Sequence, residues 1–200
     1  GQGFPTPVRE MRMTTNEVRC VVTLLSLRLA HEQAESNALE ALTDCVRRFM
    51  EAAGGMPASH DACTGMWLFA DPTNAVESSA AALALLAQAA RDGGQEVRMR
   101  LTADYGPVQL GPQPQGAAVE GALEAMRVAH DQILAVTPEL LRNLREDLRQ
   151  RVWRLAPIGE PAVIPPPQTL FAYDWDAQLG RSRDMPMRPS AEPLLPAACL

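Results

Sequence analysis

The sequence contains no lysine; all 18 of its basic residues are arginine. The simplest origin of that bias is a GC-rich coding sequence, but it excludes any chemistry that needs a side-chain amine. Net positive charge is missing too: 24 acidic residues against 18 basic ones give a net charge of -6 and a pI near 5.1. Nucleic acid is therefore excluded as a partner, because phosphate binding wants clustered positive charge. There is no run of apolar residues long enough for a membrane span. The four cysteines, Cys20, Cys45, Cys63 and Cys199, stand apart and make no Cys-x-x-Cys pair. They read as reduced, mostly buried thiols of a cytosolic protein. No internal repeat is present. The chain opens Gly1-Gln2-Gly3, which reads as a cloning remnant or as a piece cut from a longer protein.

What is present suffices for one domain. Two hundred residues, 46% hydrophobic and 21% charged, match a globular composition with a real core. Residues 1–17 read as a linker or cloning remnant, 18–175 as the folded domain, and 176–200 as a proline-rich, disordered tail. Val18–Leu27, rich in valine and leucine, predicts a buried strand. Leu39, Leu42, Val46, Phe49 and Met50 form the stripe of a helix that Gly54-Gly55 ends. Met56–Asp61 and Gly65–Ala70 predict a hairpin. Asp71-Pro72 is a helix-start signal for an alanine-rich helix over 74–91. Val97–Ala103 predicts a strand, Gly106-Pro107 a turn and Val108–Leu110 a return strand. A third helix is expected over 117–129 and a short strand over 132–136. Thr137-Pro138-Glu139 then caps one helix carrying Leu140, Leu141, Leu144 and Leu148. Val152–Leu155 and Thr169–Tyr173 close the order as strands. Such alternation predicts a layered α+β domain of α/β type on one mixed sheet.

Several stretches resemble, in order, the catalytic domain of class III adenylate and guanylate cyclases. Val22-Thr23-Leu24-Leu25-Ser26-Leu27 is similar to the strand V-x-F-A-D-I. Phe49–Gly55 resembles the family's Gly-Gly corner, and Ser59–Phe69 its hairpin K-x-x-G-D-x-x-x-x-x-F. Met99–Gly111 is similar to V-R-I-G-I-H-x-G-x-V-x-x-G. Gly116-Ala117-Ala118-Val119-Glu120 stands where G-D-x-V-N opens a helix, and Ile133–Thr137 where I-L-V-S follows. The likeness spans residues 18–173 and implies a ferredoxin-like βαββαβ core with extra strands and helices.

The departures from the pattern carry the functional expectation. The resemblance puts the family's two metal-holding aspartates on Ser26 and Cys63. A hydroxyl is a weak neutral ligand, and a thiol is a poor partner for magnesium. The purine-reading lysine and aspartate fall on Ser59 and Gln113. The asparagine and arginine that steady the transition state fall on Glu120 and Glu124, where a carboxylate would repel developing phosphoryl charge. Both halves of a shared site are thus changed. The resemblance implies a catalytically inactive pseudoenzyme domain of a bacterial signalling protein. It would be cytoplasmic, alone or beneath a membrane anchor supplied by a missing segment. It would transmit a signal or bind a protein partner, itself included, with no metal and no cofactor. The alternatives are a metal-independent receptor for a nucleotide or small ligand, and residual cyclase (lyase) activity.

Other candidates are weaker. His31, His60 and His130 are far apart. His60 and Cys63 lie close on the hairpin, but no third ligand for a soft metal such as zinc is evident. Asp104 and Glu120 have no spacing that selects them as an acid/base pair, and Cys63 lacks a base to make it a nucleophile. Glu120 and Glu124 read as solvated or interfacial, Trp67 and Trp153 as core or interface aromatics, and Trp175 as the anchor of the tail.

Overall fold

The computed structural model describes residues 16–30, 36–61, 63–155 and 170–175. His31, Cys199, the 176–200 tail and the side chain of His60 lie outside the described residues. The valine- and leucine-rich segment Glu17–Leu29 forms β1. Its Val21, Leu25 and Leu27 enter the main core, while Cys20, Val22 and Leu24 enter a smaller one on the opposite face. Burial on both faces explains why this strand reads as a continuous apolar run and not as an alternation. Next come α1 (Ser36–Ala52), β2 (Met56–His60), β3 (Thr64–Phe69), α2 (Pro72–Asp92) and β4 (Val97–Gln109). They are followed by α3 (Ala117–Val128), β5 (Ile133–Val136), α4 (Pro138–Arg142), α5 (Glu146–Arg149), β6 (Val152–Arg154) and β7 (Phe171–Tyr173).

The seven strands make one mixed sheet in the order β2-β3-β1-β4-β5-β7-β6. Only β4 and β5 run parallel. Helices α1 and α2 cover one face through Val46, Met50, Val76 and Leu83, and α3 covers the other through Ala118, Val119 and Ala122. The Asp71 carboxylate accepts the N–H groups of Thr73 and Asn74 and starts α2, with Pro72 in its first turn; such a cap contributes about 1 kcal/mol. Gly54, at φ +98, ends α1, and at Gly55 a Cβ would fall 2.7 Å from the Phe69 ring. The Gly-Gly corner is thus one turn residue and one close approach.

Two expectations are corrected. The turn at Gly106-Pro107 and the return strand Val108–Leu110 do not exist: β4 runs unbroken to Gln109 and pairs with β1 along its whole length, from Val97 opposite Leu29 to Gln109 opposite Glu17. Proline is tolerated because of the period of two. The Gln109 N–H points away from β1, to Gln115 O at 2.7 Å. The Pro107 nitrogen, two residues earlier, points the same way, so the ladder with β1 loses no donor. The single helix expected after Thr137 is two short ones. Asn143 turns its side chain back onto Glu139 O, 2.8 Å away, and Arg145 takes extended backbone angles. Leu140, Leu141, Leu144 and Leu148 are nevertheless all buried. The apolar spacing fixed which residues go inside, not the continuity of the helix between them.

Candidate functional site

Ser26 continues the series Cys20, Val22, Leu24 and so lies on the α3 face of β1, half-buried. Its partner across β3 is Thr64 and across β4 is Arg100. Cys63 precedes Thr64, and its carbonyl accepts the Leu27 N–H at 2.8 Å. The β2–β3 turn therefore sets the Cys63 backbone against Leu27, the residue after Ser26 on β1. Asp61 shapes that turn: its Oδ1 accepts the N–H groups of Cys63 at 2.8 Å and Thr64 at 2.7 Å. The Cys63 N–H above all holds the Asp61 carboxyl below the usual range. Burial pushes the Cys63 thiol up, and the neighbouring Asp61 adds to it. A thiol kept protonated is a poor nucleophile and a poor ligand.

Arg100 fills the other side of this corner. Its Nε is 3.0 Å from Asp131 Oδ1, and its Nη1 donates to the carbonyls of Met126 and Ala129, both at 3.3 Å. It thereby closes the C-terminus of α3, where carbonyls lack partners and the helix dipole is negative. Arg28 reaches the same Asp131 oxygen at 3.5 Å. Arg28 and Arg98 stand directly opposite each other in the β1–β4 ladder, both exposed. The corner does not fit hard divalent cations. Ser26 and Cys63 offer no carboxylate, a guanidinium is the cross-strand neighbour, and the one carboxylate of the turn, Asp61, is spent on backbone N–H groups. Among the described residues no three His, Cys, Asp or Glu side chains gather to hold a metal ion.

Helix α3 lies antiparallel to β4. Ala118 packs on Gly106, Thr102 Oγ1 donates to Ala122 O at 2.9 Å, and Arg100 holds the far end. Glu120 and Glu124 face solvent one turn apart, beside Leu123, which is 45% exposed. Under the helix sits Asp104, only 6% exposed. Its Oδ1 accepts the Tyr105 N–H at 2.8 Å and the Thr137 hydroxyl, the same oxygen that caps α4. Burial raises the Asp104 pKa, against these two hydrogen bonds. Asp104 and Glu120 do not form a pair: one is inside, the other on the outer surface of α3.

The two purine-reading positions are not brought together. Ser59, exposed on β2, pairs with Met66, which stands opposite Leu24 in mid-sheet. Gln113 is exposed in the loop after β4, near the start of β1, where Leu110 N–H bonds Asn16 O. His130 is half-buried at the entry to β5. Reasoning from sequence passed over Arg100, Asp131 and the Asp104–Thr137 pair. Met99-Arg100 carried only a strand signal, and nothing local tied it to α3. Thr137 was visible as a cap, but its second bond is 33 positions away in the chain.

No described helix is long and apolar enough to cross a membrane. No family model and no curated protein matches the chain. Solved structures do. The guanylate cyclase domain of RhGC from Catenaria anguillulae, in complex with GTP, is 11% identical, covers 79% of this chain and 97% of its own, and superposes with a TM-score of 0.61. The adenylyl cyclase CyaB from P. aeruginosa is 16% identical over 85% of this chain and 99% of its own, with a TM-score of 0.56. An adenylate cyclase from Trypanosoma brucei in its monomeric state is 13% identical over 81% and 92%, with a TM-score of 0.59. Identities this low speak to architecture alone, and the architecture is plain: the described residues carry the fold of the class III adenylyl and guanylyl cyclase catalytic domains.

Proposed function

We propose that this chain is a catalytically inactive cyclase-like domain that works through protein association, as a dimer, within a cytoplasmic signalling pathway. The observation that carries this reading is the corner at Ser26. Where two carboxylates would hold two divalent cations, the chain has a hydroxyl, a protonated thiol and the fixed guanidinium of Arg100. A divalent cation brought there meets a guanidinium of its own sign, and the nearby Asp131 carboxylate is already shared between Arg28 and Arg100. On the other half, Glu120 and Glu124 present negative charge to any polyphosphate. Losing one preorganised donor costs about 3–4 kcal/mol of transition-state stabilisation, and here both halves are altered together.

The purified protein, given ATP or GTP with magnesium or manganese, is expected to form no cyclic nucleotide above a protein-free blank. Product that accumulates in proportion to protein concentration would overturn the reading and establish residual lyase activity. The three arginines at 28, 98 and 100 favour one second reading, a receptor that takes a nucleotide without metal, since guanidinium groups bind phosphate oxygens directly. Calorimetric titration with ATP and GTP in the presence of chelator distinguishes it: absence of heat removes the receptor reading.

A further inference from the structure

The α3 face of the sheet is dipolar. At one end Glu120 and Glu124 stand exposed on the first turns of α3, with no ion pair among the described residues. At the other end stand Arg28, Arg98 and Arg100, and among the described residues Asp131 is the carboxylate that pairs with Arg28 and Arg100. Arg28 and Arg98 are direct cross-strand partners, an arrangement that is unfavourable for like charges unless something answers it. Asp131 is already shared between Arg28 and Arg100, and Arg98 has no ion-pair partner among the described residues.

Glu120 and Arg98 cannot neutralise each other within one chain. The α3 register puts Glu120 level with Asp104, because Gly121 abuts Asp104 and the Ala122 carbonyl meets Thr102. Arg98 lies six residues back along β4, about 20 Å at the rise of a strand. A second copy related by a two-fold axis, its α3 running opposite, puts each acidic end on a basic end, and does so twice. The exposed Leu123, between Glu120 and Glu124, and Val128, at the C-terminal end of α3, add apolar area along the same helix.

We propose that this face is self-complementary: Glu120 and Glu124 of one protomer pair with Arg28 and Arg98 of its partner. The former cleft becomes an ionic lock. The proposal rests on the dimer reading above and adds to it the residues that hold the dimer. Arg100 is not part of the lock, because its donors are committed to α3 and Asp131.

Charge reversal tests it. One variant carries Glu120→Arg with Glu124→Arg, the other Arg28→Glu with Arg98→Glu, and circular dichroism establishes that each is folded. Sedimentation velocity is expected to give a dimer for the unaltered chain, with a Kd that rises with salt, and for each variant alone a Kd at least about tenfold weaker. Mixing the two variants is expected to restore a heterodimer, since every reversed charge then meets its opposite. Dimers of undiminished affinity in both variants overturn the lock and leave the dimer reading standing. A chain that stays monomeric at every concentration overturns both. If a reversed variant does not fold, Glu120→Gln with Glu124→Gln replaces it. That pair is expected to weaken the dimer and flatten its salt dependence, and an unchanged salt dependence overturns the lock.

Discussion

A Cβ placed on Gly121 would fall 1.9 Å from Asp104 Oδ2, so α3 can lie this close to β4 only because residue 121 has no side chain. Two effects compete in Gly121→Ala. Helix propensity favours alanine by about 1 kcal/mol, while overpacking costs about 1–3 kcal/mol. The clash is with a carboxylate pinned by Thr137 and Tyr105, not with the free end of a flexible chain, so overpacking wins. Urea denaturation is expected to find Gly121→Ala less stable, and to find most of the loss gone when it is measured against an Asp104→Ala background. A variant as stable as the parent would mean that α3 stands further from the sheet. Asp104 itself makes stability depend on pH. Burial, with Glu139 of α4 adding, raises its folded pKa above the unfolded value of about 3.9. The stability it contributes is complete below that value and is lost as pH rises through the folded pKa. Asp104→Asn is expected to close this gap, gaining on the parent as pH climbs from 4 towards neutrality in a series of thermal melts. Parallel stability curves for parent and variant would show that the carboxylate titrates normally. In the sequence Asp104 was one acid among many; its character comes from a helix laid over it, which no local pattern announces.

Among the elements, β7 has an influence beyond its three residues. It is the last of the described strands yet sits between β5 and β6. It brings Tyr173, fully buried under the Arg151 guanidinium at 4.8 Å, and leads to Trp175, whose indole N–H bonds Gln132 O at 3.0 Å. Losing one large buried aromatic costs about 3–5 kcal/mol, against a total stability of about 5–15 kcal/mol. A chain ended at Thr169 is therefore expected to lose its cooperative melt by circular dichroism; a melt within a few degrees of the full chain would show the strand to be ornamental. Elements marked by caps, glycine corners and apolar runs were legible: β1, α1, the β2–β3 hairpin, α2 and α3 lie within a few residues of expectation. Those that depend on tertiary context were not. Pro107 looks like a turn until its nitrogen is seen to face away from β1. The leucines after Thr137 look like one helix until Asn143 folds back on Glu139.

At the scale of the molecule, the cleft was half legible. Collinear motifs singled out Ser26 and Cys63, and the β2–β3 turn sets the Cys63 backbone against Leu27, the neighbour of Ser26. Which charges surround them depends on strand partners far away in the chain. Arg100 meets Ser26 only through the β1–β4 ladder, and Arg28 meets Arg98 only there. That ladder also governs how the molecule comes into being. Glu17 waits for Gln109, and Leu29 waits for Val97. Pairings this distant are slow to form, because the loop must close before any contact rewards it. As the chain leaves the ribosome, β1 emerges ahead of both strands it pairs with, a nearly unbroken apolar segment, while α1, the hairpin and α2 are still being made. It is then the segment most exposed to misassociation, and the one a chaperone would be expected to hold until β4 arrives.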